Sequence, residues 1–107
     1  MNILFVAATS KEITSKKINT QPNLITGLGM VNTAMYLTKE LINNNFDLVI
    51  NMGIAGTFSS TLKKGDVVEV IEDYFSEIGY EDDTNFCSFK EFDLKTKLIV
   101  KAKTKLK

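Results

Sequence analysis

The chain has 107 residues and a mass of 12.0 kDa, with 44% apolar and 24% charged residues, a composition that suits one globular core and excludes a disordered chain. Thirteen lysines balance thirteen acidic residues and there is no arginine, so no excess positive field exists to hold nucleic acid or an anionic membrane. Histidine is absent and Cys87 is the only cysteine, which excludes Ser-His-Asp and Cys-His catalysis, an imidazole or multi-thiolate metal site and an internal disulfide.

The first element is the apolar run Ile3-Leu4-Phe5-Val6-Ala7-Ala8, apolar on both faces as a strand in the middle of a sheet requires; it predicts a strand over 2–8. The run is far too short to cross a membrane, and the N-terminus has no basic region of a signal peptide, so a cytoplasmic protein in a reducing compartment is expected. Thr9-Ser10-Lys11-Glu12 has the Thr-x-x-Glu spacing of a helix capping box. Residues 14–22 are polar and end in Pro22, which reads as a loop or a short helix. A short extended run predicts a strand over 23–27. A helix over 30–43 follows from Val31, Ala34, Met35, Thr38, Leu41 and Ile42 at helical spacing, and Asn43-Asn44-Asn45 ends it, since Asn tolerates a left-handed terminus. Phe46 to Met52 predicts a strand over 46–52, and Lys63-Lys64-Gly65-Asp66 a turn into a strand over 66–72. Strand, helix and strand joined by short glycine-bearing links imply a right-handed parallel crossover, hence an α/β fold in one domain. The acidic stretch from Glu72 to Asp83 reads as an exposed loop with aromatic anchors. From Asp93 two patterns compete: Leu94, Leu98, Ala102 and Leu106 at i, i+4 spacing suit a helix over 93–106, and alternating Lys101, Lys103, Lys105 and Lys107 suit an edge strand. The helix is preferred.

Two glycine clusters, Gly27-x-Gly29 and Gly53-x-x-Gly56, fall at the ends of successive predicted strands, where an open parallel sheet has its ligand crevice. Glycine there lets backbone approach a ligand; it also serves as a plain tight exit from a strand. A dinucleotide fingerprint fails, because position 32 is Asn32 and Asp47 begins its strand instead of ending it. Glu12 lies just past the first strand, on the same edge. It reads equally as a cap for Thr9 and as a carboxylate that orients and deprotonates a water. Glu81-Asp82-Asp83 lacks the spaced oxygen ligands of a calcium loop and reads as solvated charge. Cys87, between Phe86 and Ser88, reads as a small buried filler.

In order, the blocks AATSKEI, ITGLGMVNTA, DLVINMGIAGTF, LKKGDVVEV and FSEIGYED resemble the nucleoside phosphorylase and nucleosidase superfamily, most closely its futalosine hydrolases of menaquinone biosynthesis. The resemblance runs from Met1 to about Phe86. It implies a three-layer fold with a parallel or mixed sheet of the nucleoside phosphorylase type, of which these blocks form the N-terminal half. It implies hydrolysis of the N-glycosidic bond of a purine nucleoside without metal or cofactor, releasing hypoxanthine from futalosine, in a homo-oligomer. By matching position, Glu12 corresponds to the glutamate that holds the attacking water. Thr9 and Leu28 fall where relatives line the ribose and base pocket, and Gly27 and Gly29 shape that loop. Gly53, Ile54, Ala55 and Gly56 match the stretch whose backbone faces the nucleoside, and Ile78 the segment that reaches a neighbour's site.

Phosphorylases of the superfamily hold phosphate with arginines, so an arginine-free chain fits water better as nucleophile. Family members are about twice this length, and their second half supplies the purine-protonating aspartate and the Met-Glu pair that grips the ribose. A non-catalytic remnant that associates through an exposed sheet edge is the competing expectation. Phosphorolysis, or cleavage of methylthioadenosine and S-adenosylhomocysteine, is a further alternative.

Overall fold

A computed structural model describes residues 1–74, 78–88 and 99–101. The chain divides into two compact units, Met1–Phe58 and Ser59–Lys107.

The first unit is built on a three-stranded parallel sheet in the order β2-β1-β3, with β1 at Ile3–Ala7, β2 at Asn23–Ile25 and β3 at Leu48–Asn51. The apolar run therefore occupies the centre, as its two apolar faces require. Phe5 to Ala7 register with Asn23 to Ile25 on one side, and Ile3 to Val6 with Leu48 to Asn51 on the other. Alternation along β1 sends Leu4 and Val6 to one face, each only 1% exposed, while Ile3 and Phe5 on the other are half-buried. Burial of Leu4 and Val6 contributes about 1.5–3 kcal/mol each. Ala7, Ile13 and Thr26 complete the buried set among the described residues. Pairing outlasts the strands: Thr26 and Gly27 donate to the carbonyls of Ala7 and Ala8 at 3.0 and 3.1 Å, and Met52 donates to Val6 at 2.8 Å. Mixed helices and parallel strands place the unit in the α/β class.

Between β1 and β2 the chain makes a 3-10 turn at Ser10–Glu12 and a short helix α1 at Lys16–Asn19, which stops before Pro22. Helix α2, Met30–Asn43, carries the chain from β2 to β3 over the intervening β1. It ends on side-chain amides: Asn43 Nδ2 bonds the Lys39 carbonyl at 2.9 Å, and Asn44 Nδ2 the Glu40 carboxylate at 2.9 Å. Asn44 is extended (φ −136°), not left-handed, so these asparagines stop the helix by bonding its last turn and not by a left-handed cap. The helical stripe that marks α2 in the sequence is turned outward: Val31 is 81%, Met35 56% and Ile42 78% exposed, and the half-buried positions are Thr33, Leu37 and Glu40. The period located the helix, but it did not identify the face that packs.

In the second unit, the turn at Lys63-Lys64-Gly65-Asp66 is closed by Asp66 N–H donating to Lys63 O at 3.0 Å and Lys63 N–H to Asp66 Oδ2 at 2.8 Å. No strand occupies 66–71. Val67, Val68, Val70 and Ile71 are exposed, and the strand β4 is Glu72–Tyr74. β-branched residues confer propensity, but a strand exists only where a partner supplies its ladder. That partner is β7, Ile99–Lys101, antiparallel with Tyr74 opposite Ile99. Residues 99–101 therefore follow the edge-strand pattern and not the helix expected over 93–106; the rest of that expected helix lies outside the described residues. The acidic stretch is likewise not a plain loop. It contains β4 and β5 (Gly79–Asp82), and β5 pairs antiparallel with β6 (Asn85–Ser88) through a turn in which Asp83 takes φ 47°, a conformation Asp tolerates. Cys87, in β6, is half-buried instead of buried. Among the described residues, no helix is long and apolar enough to cross a membrane.

Candidate functional site

Two chain segments leave the sheet at its carboxyl edge and meet at Glu12. Beyond β1 the backbone turns at once into the 3-10 turn, and its Thr-x-x-Glu spacing folds Glu12 back onto Thr9 in a capping box. Thr9 N–H donates to Glu12 Oε2 at 2.8 Å, and the Thr9 hydroxyl donates to the same oxygen at 3.1 Å. From the other segment, beyond β3, Gly53 comes so near that a Cβ there would stand 3.0 Å from Glu12 Oε1. A glycine at this position leaves the second carboxylate oxygen its room.

The Thr9 N–H holds the Glu12 carboxyl below its ordinary value of 4.5; partial burial opposes this, and the Thr9 hydroxyl and the N–H groups of Ile54 and Ala8 add to the lowering. Glu12 is thus an ionised, half-buried acceptor at neutral pH, held by the two Thr9 donors. Such a group can orient a water or a ligand hydroxyl through an acceptor contact.

The third segment is the link from β2 to α2. Gly27 and Gly29 have φ of 81° and 91°, a region that side chains avoid. All three carbonyls of this turn lie within hydrogen-bond reach of a side chain: Thr26 Oγ1 to Gly27 O at 3.0 Å, Asn32 Nδ2 to Leu28 O at 2.7 Å, and Thr33 Oγ1 to Gly29 O at 3.1 Å. The turn joins the Glu12 segment through Ala8, whose carbonyl accepts from Gly27 N–H and whose N–H faces Glu12.

Of the residues singled out from sequence, Thr9, Gly53 and Ile54 therefore each lie close to Glu12, and Gly27 is tied to Ala8, the residue before Thr9. Leu28 is 73% and Ile54 91% exposed; Ala55 and Gly56 are exposed on the β3 exit, and nothing lies within 4 Å of a Cβ at Gly56. Ile78 is half-buried just before β5, in the second unit. Sequence reasoning passed over Ala8, which works through its backbone alone and leaves no side-chain signal. It also passed over Thr26, Asn32 and Thr33, whose spacing matches no motif. Among the described residues, no group of three or more His, Cys, Asp or Glu is gathered where it could hold a metal ion. Compared with models of protein families, with curated proteins and with solved structures, the chain matches none.

Proposed function

We propose that the chain carries the water-positioning part of a purine nucleosidase of the nucleoside phosphorylase type, with a substrate such as futalosine. The observation that carries this reading is the Glu12 clamp: a carboxylate held at a parallel sheet's carboxyl edge by two Thr9 donors, with Gly53 of the β3 exit packed close against its other oxygen. In the reaction a bond forms between water oxygen and the anomeric carbon while the bond from that carbon to the purine nitrogen breaks. The electron pair leaves with the purine, which must gain a proton from a general acid, and the water gives up a proton to the Glu12 carboxylate as its oxygen bonds to the anomeric carbon. Glu12 Oε2 is engaged by both Thr9 donors, so the task of aligning the water falls to Oε1, on the Gly53 side. As a lowered-pKa acceptor, Glu12 acts mainly by orientation and by stabilising the positive charge that develops on the sugar. Thr9, Gly27, Leu28, Gly29, Ile54, Ala55 and Gly56 would surround the nucleoside, and Ile78 would close the site of a second copy in a homo-oligomer. The resemblance assigns the purine-protonating acid and the ribose clamp to sequence beyond the matching blocks.

The test is release of hypoxanthine from futalosine by the folded chain in phosphate-free buffer, with circular dichroism run in parallel. Release independent of phosphate is expected of a hydrolase; release only with phosphate would make it a phosphorylase, and preference for methylthioadenosine would move the substrate assignment. A folded chain that neither turns over nor binds any of these nucleosides would overturn the reading. A second reading, a non-catalytic interaction protein, is favoured by the outward apolar face of α2 at Val31, Met35 and Ile42. Its sign would be self-association without turnover.

A further inference from the structure

Thr26 is the polar exception among the buried residues described, only 2% exposed at the end of β2. A buried hydroxyl costs free energy unless it is hydrogen-bonded, and valine would fill the same volume without that cost. Its partners are specific. Thr26 Oγ1 lies 3.2 Å from Thr33 Oγ1 in the first turns of α2 and 3.0 Å from Gly27 O; Ala7 O is at 3.5 Å. Thr33 Oγ1 in turn reaches Gly29 O at 3.1 Å. Two hydroxyl protons serve this set. Run in one direction, Thr26 donates to Thr33 and Thr33 to Gly29 O; run in the other, Thr33 donates to Thr26 and Thr26 to Gly27 O. The first direction bonds the Gly29 end of the Gly27-Leu28-Gly29 turn and the second its Gly27 end, and in both the Thr26–Thr33 bond ties the residue that enters the turn to α2.

We infer that Thr26 and Thr33 are positioning residues whose hydroxyl pair bolts the Gly27-Leu28-Gly29 turn to α2 and fixes where Leu28 is presented at the strand-exit edge. The inference rests on reading that edge as the ligand site, but the bolt itself is testable without a ligand. Neither residue is asked to touch substrate. Thr26 acts through Gly27, and Gly27 N–H is tied to Ala8 O beside the Glu12 clamp.

The experiment is amide hydrogen exchange by NMR on the whole chain, comparing wild type with Thr26→Val, Thr26→Ser and Thr33→Val. In Thr26→Val the Gly27 amide is expected to exchange about ten-fold faster, the loss that one net hydrogen bond implies, with the Met52 amide unchanged. Thr26→Ser, which keeps the hydroxyl, should return Gly27 to within about two-fold of wild type. Thr33→Val, at a half-buried helix position, should reproduce the Thr26→Val effect and decides the matter if the Thr26 variant does not fold. Unchanged Gly27 exchange in the valine variants, equal acceleration of Gly27 and Met52, or a serine variant as fast as the valine one would each overturn the inference. Exchange is read without substrate, so failure of the nucleosidase reading shows itself separately, as absent turnover in wild type. Where wild type does turn over a nucleoside, Thr33→Val should raise KM about ten-fold with kcat held within two-fold; a fall in kcat at constant KM would also overturn it.

Discussion

Glu12 Oε1 and Gly53 are in such close approach that residue 53 has no room for a side chain unless the carboxylate yields: an added Cβ would lie 3.0 Å from that oxygen. Gly53→Ala should therefore displace Glu12 by a few tenths of an ångström. Because the neighbour is the end of a flexible side chain, the expected stability change is small, below about 1 kcal/mol. In a preparation that cleaves nucleosides, the same shift should lower kcat about ten-fold or more, since misaligned reacting groups are penalised steeply. Urea midpoints and steady-state kinetics check the two halves. Wild-type kcat in the variant would place the reacting water away from Oε1.

Glu12→Gln keeps the size and loses the charge. Hydrolysis is expected to fall by about 10²–10⁴-fold with nucleoside binding largely kept, as for removal of a positioned base. Equilibrium binding and single-turnover measurements separate these outcomes. Turnover equal to wild type would leave Glu12 as nothing more than a cap for the 3-10 turn.

The depressed Glu12 pKa also predicts how stability follows pH. A carboxyl whose folded value lies below its unfolded one contributes stability that is full above the ordinary value of 4.5 and disappears as pH falls through the lowered folded value. Thermal midpoints from neutral pH into the acid range should therefore drop more steeply for wild type than for Glu12→Gln. Parallel curves would mean that the Thr9 contacts do not hold in solution.

Core and helix surface should respond very differently to truncation. Leu4→Ala, at a side chain 1% exposed, is expected to cost about 2–5 kcal/mol. Ile42→Gln, at a side chain 78% exposed, should stay within about 0.5 kcal/mol. Denaturant midpoints of the two variants provide the check, and a large loss at Ile42 would mean that the outer face of α2 is covered in solution.

What could be read from the sequence, and what could not, follows from where the controlling forces act. β1, β2, α2 and β3 were legible because hydrophobic period and apolar runs are local properties of the chain, and Ile3 to Ala7 announces its central position by being apolar at every step. The face on which α2 packs was not legible, since residues such as Met35 and Leu37 are both apolar and only the sheet's position distinguishes them. The stretch 66–71 misled for a related reason. Val67, Val68 and Val70 have strand propensity, but pairing is settled by a distant partner, and β4 found one at Ile99–Lys101. In the site, the Thr9–Glu12 pair was legible from its spacing alone. The approach of Gly53 to Glu12 depends on β3 lying in register with β1, which no local pattern encodes.

The central position of β1 also governs when the first unit can form. β1 precedes both of its neighbours in the chain and must be flanked on both sides, and its β3 side waits for a segment far down the chain; Asn2 and Asp47, hydrogen-bonded beside that pairing, are 45 positions apart. A nascent chain shorter than this exposes an apolar ribbon with one edge open. Closing so long a loop must be met before its contacts stabilise anything, so refolding should be slower than that of a helical domain of equal size, and the interval before Leu48–Asn51 leaves the ribosome is when a chaperone would find the most to bind.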